Sequence, residues 1–365
     1  MAKKSISKYY DWHKTLSYNA LITMCVTARG RGKTYGLRVQ CIKDFLKHGF
    51  TFAEVCRFKD EIKNIKSGYF DKIIYNNEFK NYDFKVEGNK GYIAKRVKQS
   101  EEDKEKGKKP KLDWQFLCGF YALSEYQNIK KRTHVGLKRV IFDEAIIEKL
   151  DRYHSYFQNE YDILLNIVDS LSREDAQESN IKTRIYLLAN ACDLINPYFI
   201  KFGINDIPKF GYTWFFNKNV LLHYEDPQEY AILKETNTLV GKLSSDGVQD
   251  TANKNIFIQR GKEFIVKKPK NAKYMFGLKV KNDYFGIWVD YEQGYIIIDK
   301  KVPAITNTNI YTIFREDNTL NTISANKANK ALLSLKQFYY DGLVRYTSYQ
   351  IMDKIKYVFE ILGIR

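Results

Sequence analysis

Residues Thr27-Ala28-Arg29-Gly30-Arg31-Gly32-Lys33-Thr34 stand between an apolar run, Leu21 to Val26, and an amphipathic stretch, Tyr35 to His48. Strand, glycine-rich turn and helix in that order leave few folds open. Glycines let successive backbone N–H groups converge on an anion, and the helix that follows adds partial positive charge at its first turn. A lysine at the end of such a turn reaches β- and γ-phosphates, and the next hydroxyl ligates Mg²⁺. The octet Thr27 to Thr34 therefore specifies a site for ATP and Mg²⁺, with Lys33 on phosphate and Thr34 on metal. The usual form of the loop carries glycine where Thr27 stands, so its first turn is expected to differ.

A second signal is Val140-Ile141-Phe142-Asp143-Glu144, an apolar β run that ends in two carboxylates. Phosphoryl transfer to water needs neutralised charge and an oriented nucleophile. Asp143 is expected to hold Mg²⁺ through its water shell and Glu144 to polarise the water. The two should face the loop across adjacent strands. Arg184 to Ala189 reads as a further strand with Asn190 at its end. In open α/β sheets ligands lie at strand carboxyl ends, which places Asn190 to sense the γ-phosphate. Tyr161 to Leu171 has helical spacing, and Arg173 lies just beyond it.

Length and charge bound the rest. A chain of 365 residues suggests two or three domains. Sixty Lys and Arg against 43 Asp and Glu leave +17, which favours a polyanionic partner. The five cysteines and five histidines are scattered, with no Cys-x-x-Cys, which argues against zinc and disulfides and for a reducing compartment. No run approaches the roughly 20 apolar residues of a membrane span, so an intracellular chain without a membrane partner is expected. Residues 94–111 are rich in Lys and Glu and read as an excursion. The domains are expected at 1–225, 226–255 (a polar linker) and 256–365. The last shows short β runs at 256–258, 263–266, 274–280, 285–290 and 295–299, then helices near 325–340 and 349–362. Asp290 and Asp299 end neighbouring strands and invite a two-metal nuclease reading. Acidic strand ends are common, however, and a structural role is favoured.

The order of Leu16-Ser17-Tyr18, Ala28 to Thr34, Phe142-Asp143-Glu144, Asn190-Ala191 and Asn196-Pro197-Tyr198-Phe199 resembles the genome-packaging ATPases of small tailed phages of the phi-twenty-nine type. Gly286 to Asp299 and Phe338 to Tyr346 are similar to that family's C-terminal domain. The resemblance implies an α/β RecA-like P-loop ATPase domain of the additional-strand, catalytic-glutamate class. A short linker domain and a smaller α+β RNase H-like domain, a degenerate nuclease, would follow. It implies a ring of subunits, five being the expected number, docked on a phage portal and driving double-stranded DNA into a procapsid. The setting would be the cytoplasm of an infected bacterium. A packaging RNA is left open. By the same resemblance Arg173 is the finger acting on a neighbour's nucleotide, with Arg184 its rival, and Lys130 is a second trans-acting base. Lys59 and Lys149 match DNA-pore positions. Lys131, in the run Lys130-Lys131-Arg132, shares the phosphate-contact reading. Lys267, Lys268, Lys270 and Lys273 form a candidate basic patch for DNA or portal. Two other readings stand beside this one: a helicase or remodelling ATPase, and a non-enzymatic DNA-binding protein.

Overall fold

A computed structural model describes residues 10–97, 112–147, 155–157, 159–173, 182–194, 196–204, 207–227, 230, 232, 237–239, 255, 257, 262–280, 283–303, 309–325 and 330–361. The chain divides into two compact units, residues 1–258 and 259–365.

The first unit is built on one sheet. Its strands are β1 (Ile22–Val26), β2 (Thr51–Cys56), β3 (Tyr82–Glu87), β4 (Lys90–Lys95), β5 (Gln115–Ala122), β6 (Leu137–Phe142), β7 (Arg184–Ala189), β8 (Gly211–Phe215) and β9 (Val220–Tyr224). Their spatial order is β3-β4-β5-β2-β6-β7-β1-β9-β8. The six from β5 to β9 run parallel, and antiparallel partners close both edges. Parallel strands bury both faces, which is why β1 and β2 are buried along their whole length. Helix α1 (Trp12–Ser17) precedes β1, and α2 (Lys33–His48) follows it. Leu37, Cys41 and Ile42 of α2 pack into the core with Phe52 and Phe120, and Gly49 (φ 73°) ends the helix in the left-handed region.

One expectation is corrected here. The carboxylate strand β6 is not a neighbour of the loop strand β1, because β7 is inserted between them. That insertion is the additional strand of the expected class, and it brings Asn190 between loop and carboxylates. The hairpins β3–β4 and β8–β9 were not expected, although β3 alternates apolar and polar residues from Tyr82 to Glu87. β9 pairs with β1 and reads as a core strand only once paired.

The second unit holds β10 (Lys273–Val280), β11 (Asp283–Asp290), β12 (Tyr295–Asp299), β13 (Ile310–Thr312), β14 (Ile323–Ser324) and β15 (Val344–Tyr346), in the order β14-β13-β10-β11-β12-β15. β10, β11 and β12 form an antiparallel meander, with β13 and β14 added parallel beside β10. This is the expected RNase H-like α+β arrangement. The helices Lys330–Tyr340 and Tyr349–Ile361 accompany the sheet. Residues 262–264 form a 3₁₀ turn rather than the expected strand, and Ile265 makes only a single bridge to Tyr346. Phe257, also expected in a strand, instead packs in the first unit against Phe199 and Tyr224. Asp299 pairs opposite Gly286, whereas Asp290 pairs opposite Tyr295 at the other end of the hairpin. Four strand positions separate them, about 13 Å, too far to share a metal pair. Asp290 is instead buried and accepts the N–H groups of Glu292 and Gln293 in the turn.

Candidate active site

The loop leaves β1 at its carboxyl end. Gly30 and Gly32 adopt positive φ, 85° and 75°, where glycine alone is unstrained. Thr27 is fully buried and does not adopt positive φ, so the usual glycine is not required there. Its hydroxyl donates to the Ala28 carbonyl at 3.2 Å. Gly32 caps α2 with no side-chain hydrogen bond, which leaves the first helical N–H groups to an anion. The N-terminal segment braces the loop from outside. Tyr10 N–H donates to the Arg31 carbonyl at 2.9 Å, and the Trp12 indole donates to the Lys33 carbonyl at 2.8 Å. Arg29 is exposed, while Arg31 pairs with Glu225 at 2.9 Å. Burial raises the Glu225 carboxyl above its ordinary range, and Arg31 opposes that shift.

Lys33 is buried, and its ammonium donates to the Asn190 amide oxygen at 2.7 Å. A buried cation held by a neutral amide is incompletely compensated, and an anion completes the balance. The Thr34 hydroxyl donates to Asp143 Oδ2 at 2.6 Å, and Asp143 Oδ1 accepts the Glu144 N–H at 3.0 Å. A hydroxyl and a carboxylate side by side are hard oxygen donors of the kind Mg²⁺ prefers, so the residues fit that ion.

Glu144 is exposed and sits at φ 53°, a left-handed conformation that costs a non-glycine residue on the order of 1 kcal/mol. Arg57, at the end of β2, holds that turn. Its guanidinium donates to the carbonyl of Glu144 at 3.3 and 3.4 Å and to that of Ala145 at 3.1 Å. Arg57 is in turn paired with the buried Glu160 at 2.9 Å, and the Tyr198 hydroxyl donates to Glu160 at 2.8 Å. Burial works against the Arg57 charge, but the Glu160 carboxylate more than offsets it and keeps the guanidinium above its usual range. Deeper in the site, Glu54 of β2 is clamped by Arg38 through two bonds of 2.7 Å.

Lys33, Asp143, Glu144, Asn190, Glu54 and Arg57 line one cavity of about 380 Å³ at the strand carboxyl ends. The sequence named the first four. It missed Arg57 and Glu54, although a charge inside an apolar strand, or at its carboxyl end, was a usable signal.

The remaining expected residues lie elsewhere. The helix Glu160–Ser172 starts at Arg57, near the carboxyl ends. At its other end Ser172 shares a second cavity with Leu21, Thr183 and Asn219, at the amino ends of β1, β7 and β9. Thirteen residues of helix span about 20 Å. Arg173 follows, exposed, at the amino-end edge. Arg184 lies at the same edge, its guanidinium donating to the Lys182 carbonyl at 2.7 Å. Lys130 and Lys131 are exposed, with the Lys130 ammonium 5.2 Å from the Tyr126 ring centre. Lys59 pairs with Glu125 at 2.8 Å. Lys149 lies outside the described residues.

Strand order, loop and carboxylate turn define an additional-strand P-loop ATPase with Glu144 beside Asp143 at the end of the carboxylate strand. Residues 3–362 match the model of the family described as podovirus DNA encapsidation protein (Gp16), and the chain belongs to that family. It is 30% identical over 346 residues to the DNA packaging protein of Bacillus phage B103, covering 94% of this chain and 97% of that one. It is 29% identical over 356 residues to the DNA packaging protein of Bacillus phage phi29, covering 96% of each. A chain of the bacteriophage phi-29 viral genome packaging motor assembly superposes with a TM-score of 0.71 at 27% identity, over 98% of this chain and all of that one. Among the described residues no helix is long and apolar enough to cross a membrane.

Proposed function

We propose that this chain is the ATP-driven motor subunit that moves double-stranded DNA into a viral procapsid, working in the infected cell as a ring, five-fold by analogy, on the phage portal. The observation that carries it is the convergence of Lys33, Asp143, Glu144 and Asn190 on one cavity, with the Thr34 hydroxyl bonded to Asp143, in a chain of the DNA encapsidation family. We read 1–225 as the ATPase domain, 226–255 as the linker and 256–365 as the domain for DNA or portal contact. Lys267, Lys268, Lys270 and Lys273 are its candidate patch.

In this mechanism the loop N–H groups and Lys33 bind the β- and γ-phosphates of ATP. Thr34 and Asp143 would hold Mg²⁺, which supplies charge neutralisation on the phosphate oxygens when bound. Glu144 accepts a proton from the attacking water, and Asn190 orients water and γ-phosphate. Arg173 sits about 20 Å of helix away from the end beside its own cavity, which supports its action on a neighbour's nucleotide rather than its own. Lys130 is assigned to the same neighbouring site. Lys59, Lys131 and Lys149 are assigned to the DNA backbone. Phosphate contacts carry no sequence information, as a motor that must pass every sequence requires.

The test is ATP turnover against protein concentration, with and without duplex DNA and portal. Cooperative onset stimulated by duplex, without strand separation, is the expected result. Turnover proportional to concentration and indifferent to duplex would overturn the shared-site motor.

A further inference from the structure

Asn255 is fully buried and spends its whole amide on strand ends. Its Nδ2 donates to the Glu225 carbonyl at 2.7 Å and the Val26 carbonyl at 3.2 Å, and its Oδ1 accepts the Ala191 N–H at 3.3 Å. Its own carbonyl accepts the Tyr224 hydroxyl at 2.5 Å. The backbone is left-handed there, at φ 51°, a conformation asparagine tolerates better than most residues. Two residues on, Phe257 is buried against Tyr224 and Phe199, with ring centres 5.2 and 5.4 Å away.

Each of the three tied groups is next to, or belongs to a residue paired with, the phosphate loop or Asn190. Val26 is the last residue of β1 before Thr27. Ala191 follows Asn190, whose amide oxygen takes the Lys33 ammonium. Glu225 pairs with Arg31 of the loop. Asn255 therefore ties together, from one point, the strand end that launches the loop, the backbone next to the residue that holds Lys33, and the backbone of the residue whose carboxylate holds Arg31. A neutral amide with two donors and an acceptor matches two carbonyls and one N–H. Aspartate is close in shape but turns an oxygen toward two carbonyls, and leucine removes the bonds to the Glu225 carbonyl and the Ala191 N–H while the Val26 carbonyl keeps the Glu225 N–H at 3.0 Å.

We propose that Asn255 is a positioning residue of the phosphate loop and that it transmits triphosphate binding to the chain at 255–257, where the first unit ends. The proposal rests on reading the cavity as a triphosphate site. Phosphates that draw in Lys33 and the loop N–H groups shift the ends of β1 and β7, and the amide that bridges those ends shifts with them. Tightening the three hydrogen bonds tightens the segment that carries Asn255 and Phe257.

Hydrogen exchange on the full chain, with Mg²⁺ and adenosine 5′-O-(3-thiotriphosphate) as the probe, tests this. In the unmodified protein the probe is expected to slow exchange both in a peptide covering 27–34 and in one covering 251–260. Asn255→Asp is expected to bind the probe about tenfold more weakly, the equivalent of one or two hydrogen bonds. At saturation it should keep protection at 27–34 and lose it at 251–260, a split that general destabilisation would not produce. Protection at 27–34 with none at 251–260 in the unmodified protein would overturn the proposal, whatever the fate of the variant. Equal affinity of Asn255→Asp and the unmodified protein would also overturn it. No protection at either peptide would instead remove the triphosphate reading beneath it.

Discussion

The Thr34 hydroxyl donates to Asp143 Oδ2 at 2.6 Å, across a sheet in which β7 separates their strands. The bond joins the end of the phosphate loop to the carboxylate turn, residues 109 apart in sequence. It also sets the order in which site variants should fail. Lys33→Ala is expected to lose both binding and hydrolysis of ATP. Asp143→Asn should lose the dependence on Mg²⁺ before it loses affinity for nucleotide. Glu144→Gln should bind ATP normally and turn it over about 10²–10⁴-fold more slowly, the usual contribution of a positioned base. Calorimetry paired with phosphate release checks all three, and a Glu144→Gln variant of normal turnover would remove that residue from the chemistry.

Arg57 and Glu160 are both buried and paired at 2.9 Å, and together they hold the strained Glu144 peptide. Arg57→Met strands the Glu160 carboxylate and is expected to cost about 3–5 kcal/mol, read from the denaturation midpoint. Arg57→Met with Glu160→Gln removes the stranded charge and should recover most of that stability. Hydrolysis should nevertheless stay low, because the guanidinium that holds the Glu144 carbonyl is gone. Wild-type turnover in the stable double variant would show that the turn holds itself.

The parts legible in sequence were those whose chemistry is local. The loop, Asp143-Glu144 and Asn190 each follow an apolar strand, and the sheet brings their ends together. Strand Arg184–Ala189 was legible for the same reason. Partners across long separations were not legible: Arg57 with Glu160, Arg38 with Glu54, Glu225 with Arg31. A single charge near a strand end has many candidate partners, and only the fold selects one. The hairpin β8–β9 escaped notice because its turn uses Phe216, Asn217 and Lys218 at positive φ, without glycine. Phe257 was misplaced because a short apolar run does not say which core receives it.

The buried His134 packs at a tilt against Phe116, and burial, reinforced by Lys90, depresses its imidazole to about 4. A depressed histidine binds its proton more readily in the unfolded chain, so stability falls as pH drops through 6.5 towards 4. From pH 7 to pH 5 the loss from His134 alone is expected to be about 2 kcal/mol. Melting curves across that range check it. His134→Phe should reduce the dependence without abolishing it, because burial depresses His223 to about 4 as well, and an unchanged slope in that variant would assign the acid sensitivity to other groups.

Lys59 is 70% exposed and paired with Glu125 at 2.8 Å. An exposed pair of this kind is screened by solvent and contributes little, so a DNA phosphate competes for it easily. Lys59→Ala is expected to weaken duplex binding for all sequences alike and to lower the slope of log affinity against log salt by about 1. An unchanged slope would take Lys59 off the DNA path.

Arg173 and Arg184 both lie at the amino-end edge of the sheet, but only Arg173 is exposed, just past a helix end. If Arg173 completes a neighbour's site, Arg173→Ala subunits should bind ATP normally while turnover in assembled rings falls about 10³–10⁵-fold. Mixing gives the sharper reading. Arg173→Ala subunits keep an intact cavity, and Lys33→Ala subunits keep an intact arginine. Each is inactive alone, but mixed rings contain junctions where a good cavity meets a good arginine. Partial activity in the mixture is the expected result, measured as phosphate release against mixing ratio. A mixture as inactive as either parent would place the arginine's action within its own chain. Arg184→Ala should leave turnover near normal, and a collapse there instead would transfer the role to Arg184.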